Sequence, residues 1–125
     1  MSTQRIAMLF GVVFVLVGVL GFALTGFGMD MQMLLGIFPV NLVHNLVHIL
    51  IGVWGVAAAR SAAGATMYCR LAGVLYLILG CLGFVVDNPM GLVPIGGNDR
   101  YLHLTLGVIL AGFGLMGGGA QKAAA

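Results

Sequence analysis

Four apolar stretches without a charge run through the chain: Ile6 to Phe27, Leu42 to Ala59, Leu71 to Val86 and Tyr101 to Gly119. Crossing the hydrocarbon core of a bilayer takes about 17–25 residues of α-helix, and each stretch approaches or reaches that length. The pattern predicts four transmembrane helices over about residues 5–27, 41–60, 66–87 and 99–118 of a single domain, 1–125. The third gains its length only if Arg70 snorkels from its first turns, with Tyr68 at the interface. Ordinary punctuation separates the helices: Pro39 and Asn41 before the second, Asp87-Asn88-Pro89 after the third, and Asn98-Asp99 as a cap for the fourth. The first stretch follows Arg5 and is longer than the roughly 7–15 residues of a signal-peptide core, so it is read as a retained helix.

Within the stretches, small and polar positions fall on stripes. Gly11, Phe14, Gly18, Gly21 and Thr25 are spaced 3, 4, 3, 4, and Gly73, Tyr76, Gly80, Gly83 and Asp87 repeat those intervals at an offset of 62. Asn41, Asn45, His48, Gly52, Gly55 and Ala59 form a similar stripe on the second helix, and His103, Gly107, Ala111, Gly114 and Gly118 form one on the fourth. An offset of 55 pairs Gly36-Ile37-Phe38-Pro39-Val40 with Gly91-Leu92-Val93-Pro94-Ile95, His48 with His103, and Gly52 with Gly107. The two halves therefore read as a parallel repeat, related by a pseudo-twofold along the membrane normal. Lipid tails give helices no hydrophobic drive to associate, so close approach at small residues is expected to hold the bundle together. The fold class is all-α: a four-helix transmembrane bundle made of two parallel-repeat helical hairpins.

Composition narrows the reading. Hydrophobic residues make up 62% and charged residues 6%, against about 25% charged in soluble domains, which excludes a soluble surface. A net charge of +2 without any Lys/Arg cluster excludes nucleic acid as a partner. Cys69 and Cys81 lie on one helix about 18 Å apart, too far to be bridged. Arg5, Arg60, Arg70 and Lys122 fall on one side of the spans, opposite Asp30, Asp87, Asp99 and Arg100. The positive-inside rule then places both termini in the cytoplasm of a multi-pass protein of the bacterial inner membrane.

Polar side chains inside a membrane are costly and mark function. Here they gather near the outer ends of two helices: Asn41, His44, Asn45 and His48 on the second, Arg100 and His103 on the fourth. Helices two and four sit diagonally in an up-and-down bundle, which turns His48 and His103 toward each other. Two facing imidazoles could ligate a tetrapyrrole, haem or chlorophyll, with Gly52 and Gly107 leaving room for the ring and Arg100 neutralising a propionate. Hydrogen bonding to an asparagine or a backbone carbonyl would satisfy the same histidines without a cofactor. Metal binding is a further alternative. His44 and His48 are spaced i, i+4 for chelation, and Met29, Met31 and Met33 in the outer loop resemble soft donors for copper. Three acids in the whole chain leave little for acid–base catalysis, so an enzyme is not expected.

The segment Leu35-Gly36-Ile37-Phe38-Pro39-Val40-Asn41, followed by His44-Asn45-Leu46-Val47-His48, resembles the domain-of-unknown-function family 4383. Leu92-Val93-Pro94-Ile95 with Asn98 and Tyr101-Leu102-His103 is similar to that family's later motif. The resemblance covers nearly the whole chain and implies a small bacterial four-helix membrane protein without implying a catalytic role. The functional expectation is therefore a non-catalytic protein acting by association in the lipid bilayer, as an accessory subunit of a membrane complex or as a homo-oligomer.

Overall fold

The computed structural model describes residues 2–124, with side chains through Gly117. Its elements are α1 (Thr3–Thr25), the strands β1 (Gln32–Leu34) and β2 (Phe38–Val40), α2 (Leu42–Ala58), α3 (Ala62–Leu82), a short 3-10 turn at Pro89–Gly91, and α4 (Asp99–Ala124). α1, α3 and the Asp99–Gly117 part of α4 are each long and apolar enough to cross a membrane, and the molecule is a helical membrane protein. α2 is shorter, at 17 residues. It lies along α1 from Asn45, against Gly21, to Val56, against Gly11.

Helix ends follow local chemistry. Ser2, Asn41 and Ser61 cap α1, α2 and α3, each accepting from the backbone N–H three residues on. The Ser61 cap starts α3 at Ala62, earlier than hydropathy indicates. α3 also stops at Leu82, although Phe84, Val85 and Val86 are as apolar as the helix, because the chain returning toward α4 packs against its end. A Cβ on Gly83 would lie 2.6 Å from the Ile95 carbonyl oxygen.

The repeat holds contact for contact. A Cβ on Gly11 would stand 2.7 Å from the Val56 nitrogen, and one on Gly73 would stand 2.4 Å from the nitrogen of Ala111, the repeat mate of Val56. Gly18 meets Ile49 as Gly80 meets Leu104, and Gly52 meets Val15 as Gly107 meets Leu77. Between the hairpins the Phe14 and Tyr76 rings, also repeat mates, lie 5.4 Å apart. Thr3 and Thr66 share a hydroxyl hydrogen bond of 3.1 Å near the N-terminal ends of α1 and α3, so the two hairpins run the same way. The core between them is Ile6, Ala7, Phe14, Tyr68, Cys69, Ala72, Tyr76 and Leu110, all buried.

The loop between α1 and α2 carries an element that the sequence does not announce. β1 and β2 pair antiparallel, Leu34 opposite Phe38, around Leu35 and Gly36 at φ of 55° and 70°. Two successive left-handed residues are the signature of a tight hairpin turn that follows the strand twist. Met90 and Gly91 repeat it at 55° and 68°, with the same pair of turn hydrogen bonds but without paired strands. The apolar faces turned away from the bundle, such as Leu9, Leu16, Leu50, Ile78 and Val108, are left for lipid.

Because the Cβ of a larger residue would strike backbone at the seams, Gly73→Ala should destabilise the bundle by about 1–3 kcal/mol. Gly112→Ala, with nothing within 4 Å of its Cβ, should be neutral or gain up to about 1 kcal/mol from helix propensity. Unfolding by SDS in mixed micelles, followed by circular dichroism, measures both.

Candidate functional site

At the end of the bundle where α1 joins α2 and α3 joins α4, Asn41 joins three parts of the chain. Its side-chain oxygen accepts from the His44 amide at 2.9 Å, and its Nδ2 donates to the carbonyls of Leu92 (2.9 Å) and Met29 (3.3 Å). Asn98 Nδ2 donates to the Ile37 carbonyl at 3.0 Å, tying the second loop to the β-hairpin. Both loops thus clasp over the helices, with Val40, Pro94 and Ile95 buried beneath them.

Under this roof His44, His48 and His103 come together. One ring nitrogen from each lies within 4.8 Å of one from each of the others. The His44 and His48 rings stack at 4.6 Å, one turn apart on α2, and His44 stacks on His103 at 6.2 Å. Phe14 meets the His48 ring at 5.7 Å, and its mate Tyr76 meets His103 at 5.3 Å. All three histidines are buried, at 5%, 5% and 2% exposure. They line a cavity of about 210 Å³ whose other walls are Val47, Ile51, Leu75, Tyr76, Leu79, Val93 and Ile95.

Asp99, on the first turn of α4, completes the cluster. Its Oδ2 lies 3.0 Å from His44 Nε2, close enough for an ion pair but without the alignment of a hydrogen bond. Both side chains are sealed from solvent. Sequence reading took Asp99 for a helix cap. The signal was nevertheless present, because the offset of 55 that pairs His48 with His103 also pairs His44 with Asp99.

Nδ1 of all three histidines and the Tyr76 hydroxyl are buried without a hydrogen-bond partner. Buried polar atoms are ordinarily paired, at a cost of about 1–3 kcal/mol for each that is not. Asn45 Nδ2, the Tyr68 hydroxyl and Arg100 Nε, away from the cavity, are likewise without a partner. Among the described residues, neither an asparagine nor a carbonyl bonds the histidine Nδ1 atoms.

The other residues singled out in the sequence are placed elsewhere. The spaces at Gly52 and Gly107 face away from the imidazoles: α1 fills the first through Gly11 and Val15, and α3 fills the second through Leu77. No room for a macrocycle remains there, and a cavity of 210 Å³ is smaller than the roughly 300–1,000 Å³ pockets that hold even drug-sized ligands. The Arg100 guanidinium lies over the rings of Phe84 (4.7 Å) and Tyr101 (5.2 Å). It lines a separate pocket of about 540 Å³ together with Asp87, Met31 and Met33. Strand alternation puts Met31 and Met33 on one face, but neither lines the histidine cavity, and Met29 reaches the site only through its carbonyl.

The profile of one family, described as a domain of unknown function (DUF4383), matches residues 4–116. The chain belongs to the DUF4383 family. Both motifs behind the resemblance, the segment from Leu35 to His48 and that from Leu92 to His103, fall inside the matched range and build the roof and imidazoles of this DUF4383 site. No curated protein and no solved structure matches the chain.

Asn41→Ala removes the cap, the bond to Leu92 in the second loop and the bond to Met29 in the first, and a loss of about 2–3 kcal/mol is expected. Asn41→Ser keeps an acceptor for the His44 amide and should lose about half as much. Thermal unfolding in detergent decides: a loss near zero in Asn41→Ser would show that the loop bonds contribute nothing, and equal losses for the two variants would show that the cap contributes nothing.

Proposed function

We propose that the protein is a metal-binding membrane protein whose His44, His48 and His103 hold one transition-metal ion near the extracytoplasmic face. The observation that carries this reading is the convergence of three buried imidazoles whose Nδ1 atoms have no other partner. Metal–nitrogen bonds of about 2.0–2.1 Å hold the ligand nitrogens of a tetrahedral site about 3.3 Å from one another. A cluster whose donor atoms all lie within 4.8 Å of one another closes on an ion when its side chains rotate inward. Neutral imidazoles suit zinc, copper, nickel and ferrous iron. Among the described residues none that lines the cavity carries a thiol or thioether, which favours a divalent ion over Cu(I).

Purified protein should bind one equivalent of Zn²⁺ or Cu²⁺ against a competing chelator. His48→Ala and His103→Ala should each weaken binding at least tenfold, as read by metal analysis after desalting. Equal metal in the wild type and in a variant lacking all three imidazoles would defeat the proposal. An absorbance scan after incubation with haem should show no ligated haem.

Association as an accessory subunit or homo-oligomer is a second reading, compatible with the first. It is favoured by how little of the described chain lies outside the helices, since the segments between them are occupied by turns that pack on the bundle. We also place the end bearing Arg5, Arg60 and Arg70 in the cytoplasm of a bacterial cell, on the positive-inside rule; the Lys122 side chain lies outside the described residues. Phosphatase fusions joined after Gly28 or Gly91 should be active and one joined after Arg60 inactive. The mass of the detergent-solubilised particle, above that of one 12.9 kDa chain for an oligomer, checks the association.

A further inference from the structure

An ion held by three imidazoles needs at least one more donor, and the site offers two sources: the Asp99 carboxylate or a molecule from outside the chain. The geometry distinguishes them. Asp99 Oδ2 sits 3.0 Å from His44 Nε2 without the alignment of a hydrogen bond, both ring nitrogens of His44 are buried without a hydrogen-bond partner, and Asp99 is not among the side chains whose donor atoms converge within 4.8 Å. A small rotation that aligned the pair would let the carboxylate accept the Nε2 proton and leave Nδ1 as the donor, which is how ligating histidines are commonly oriented. Asp99 therefore has a task outside the coordination shell.

A second observation concerns the space itself. Beyond the imidazoles the cavity of about 210 Å³ is lined by aliphatic side chains and Tyr76. The Tyr76 hydroxyl is buried and has no partner. It cannot replace a protein ligand at the metal as a neutral phenol, but it can donate a hydrogen bond to something bound there.

We propose that the three imidazoles leave the ion an open coordination position facing this cavity, taken by a small exogenous ligand, water or a small anion. The Tyr76 hydroxyl donates to that ligand, and Asp99 positions His44 without touching the ion. This rests on the metal reading given above. Three protein ligands with one exchangeable position is the pattern of reactive rather than purely structural metal sites.

Co²⁺ and azide are the probes. Full-length protein in detergent, loaded with Co²⁺, should give a visible ligand-field spectrum that azide changes saturably. Tyr76→Phe should keep Co²⁺ stoichiometry and spectrum but weaken azide about tenfold, the loss of one hydrogen bond to an anion. Asp99→Asn should weaken Co²⁺ by about 10–100-fold and, once loaded, still respond to azide. A wild-type spectrum unmoved by azide, or an azide response that appears only in Asp99→Asn, would overturn the proposal and make Asp99 the fourth ligand. An unchanged azide affinity in Tyr76→Phe would remove the assigned role of the hydroxyl. Failure of the wild type to bind Co²⁺, Zn²⁺ or Cu²⁺ at all would defeat the metal reading itself, and this inference with it. Should Asp99→Asn fail to fold, the wild-type and Tyr76→Phe measurements still decide.

Discussion

Two helices that approach until no side chain fits between them set the rest of the molecule. A Cβ on Gly52 would stand 2.7 Å from the Val15 nitrogen, and the same contact recurs at 2.7 Å between Gly107 and the Leu77 nitrogen. In a solvent as apolar as the side chains themselves, dispersion across such a seam is the main attraction available. Each hairpin is thereby fixed in rotation as well as in spacing. With α2 turned so that Gly52 faces α1, His48, one turn earlier, points past α1 toward the other hairpin, and His103 follows by repetition. The imidazole cluster follows from glycine placement.

That dependence explains what the sequence revealed and what it concealed. Stripes, repeat, inward histidines and the polar end were legible because each is a periodicity, and helical geometry converts period into face. Which neighbour a face meets is not periodic information. The gaps at Gly52 and Gly107 were correctly found and read beside the wrong partner, since one helix alone does not show whether an adjacent backbone or a ligand fills the gap. Asp99 was hidden for a related reason: an acid at a helix start is sufficiently explained as a cap, and only the offset that maps His44 onto it points elsewhere. The hairpin Gln32–Val40 escaped because three-residue strands bearing methionines resemble an apolar loop. The end of α3 escaped because hydropathy does not separate Leu82 from Phe84-Val85-Val86.

The site joins two environments that rarely meet. Its roof is held by asparagine side chains bonded to carbonyls of both loops, a polar clasp. Beneath it lie aliphatic walls in which any unpaired donor or acceptor is strongly disfavoured. The cavity of about 210 Å³ between them has room for only a few atoms.

The duplication has a chemical consequence of its own. Had two identical hairpins met as separate chains, every position on the shared axis would oppose itself, imidazole against imidazole and phenyl against phenyl. Continuity of the polypeptide lifts that like-to-like rule. Where symmetry would set a second imidazole against His44 stands the carboxylate of Asp99, and where it would set a phenyl against Phe14 stands the phenol of Tyr76. A seat that is geometrically even is thus chemically lopsided, with its acid and its hydroxyl contributed by the second hairpin and two of its three imidazoles by the first.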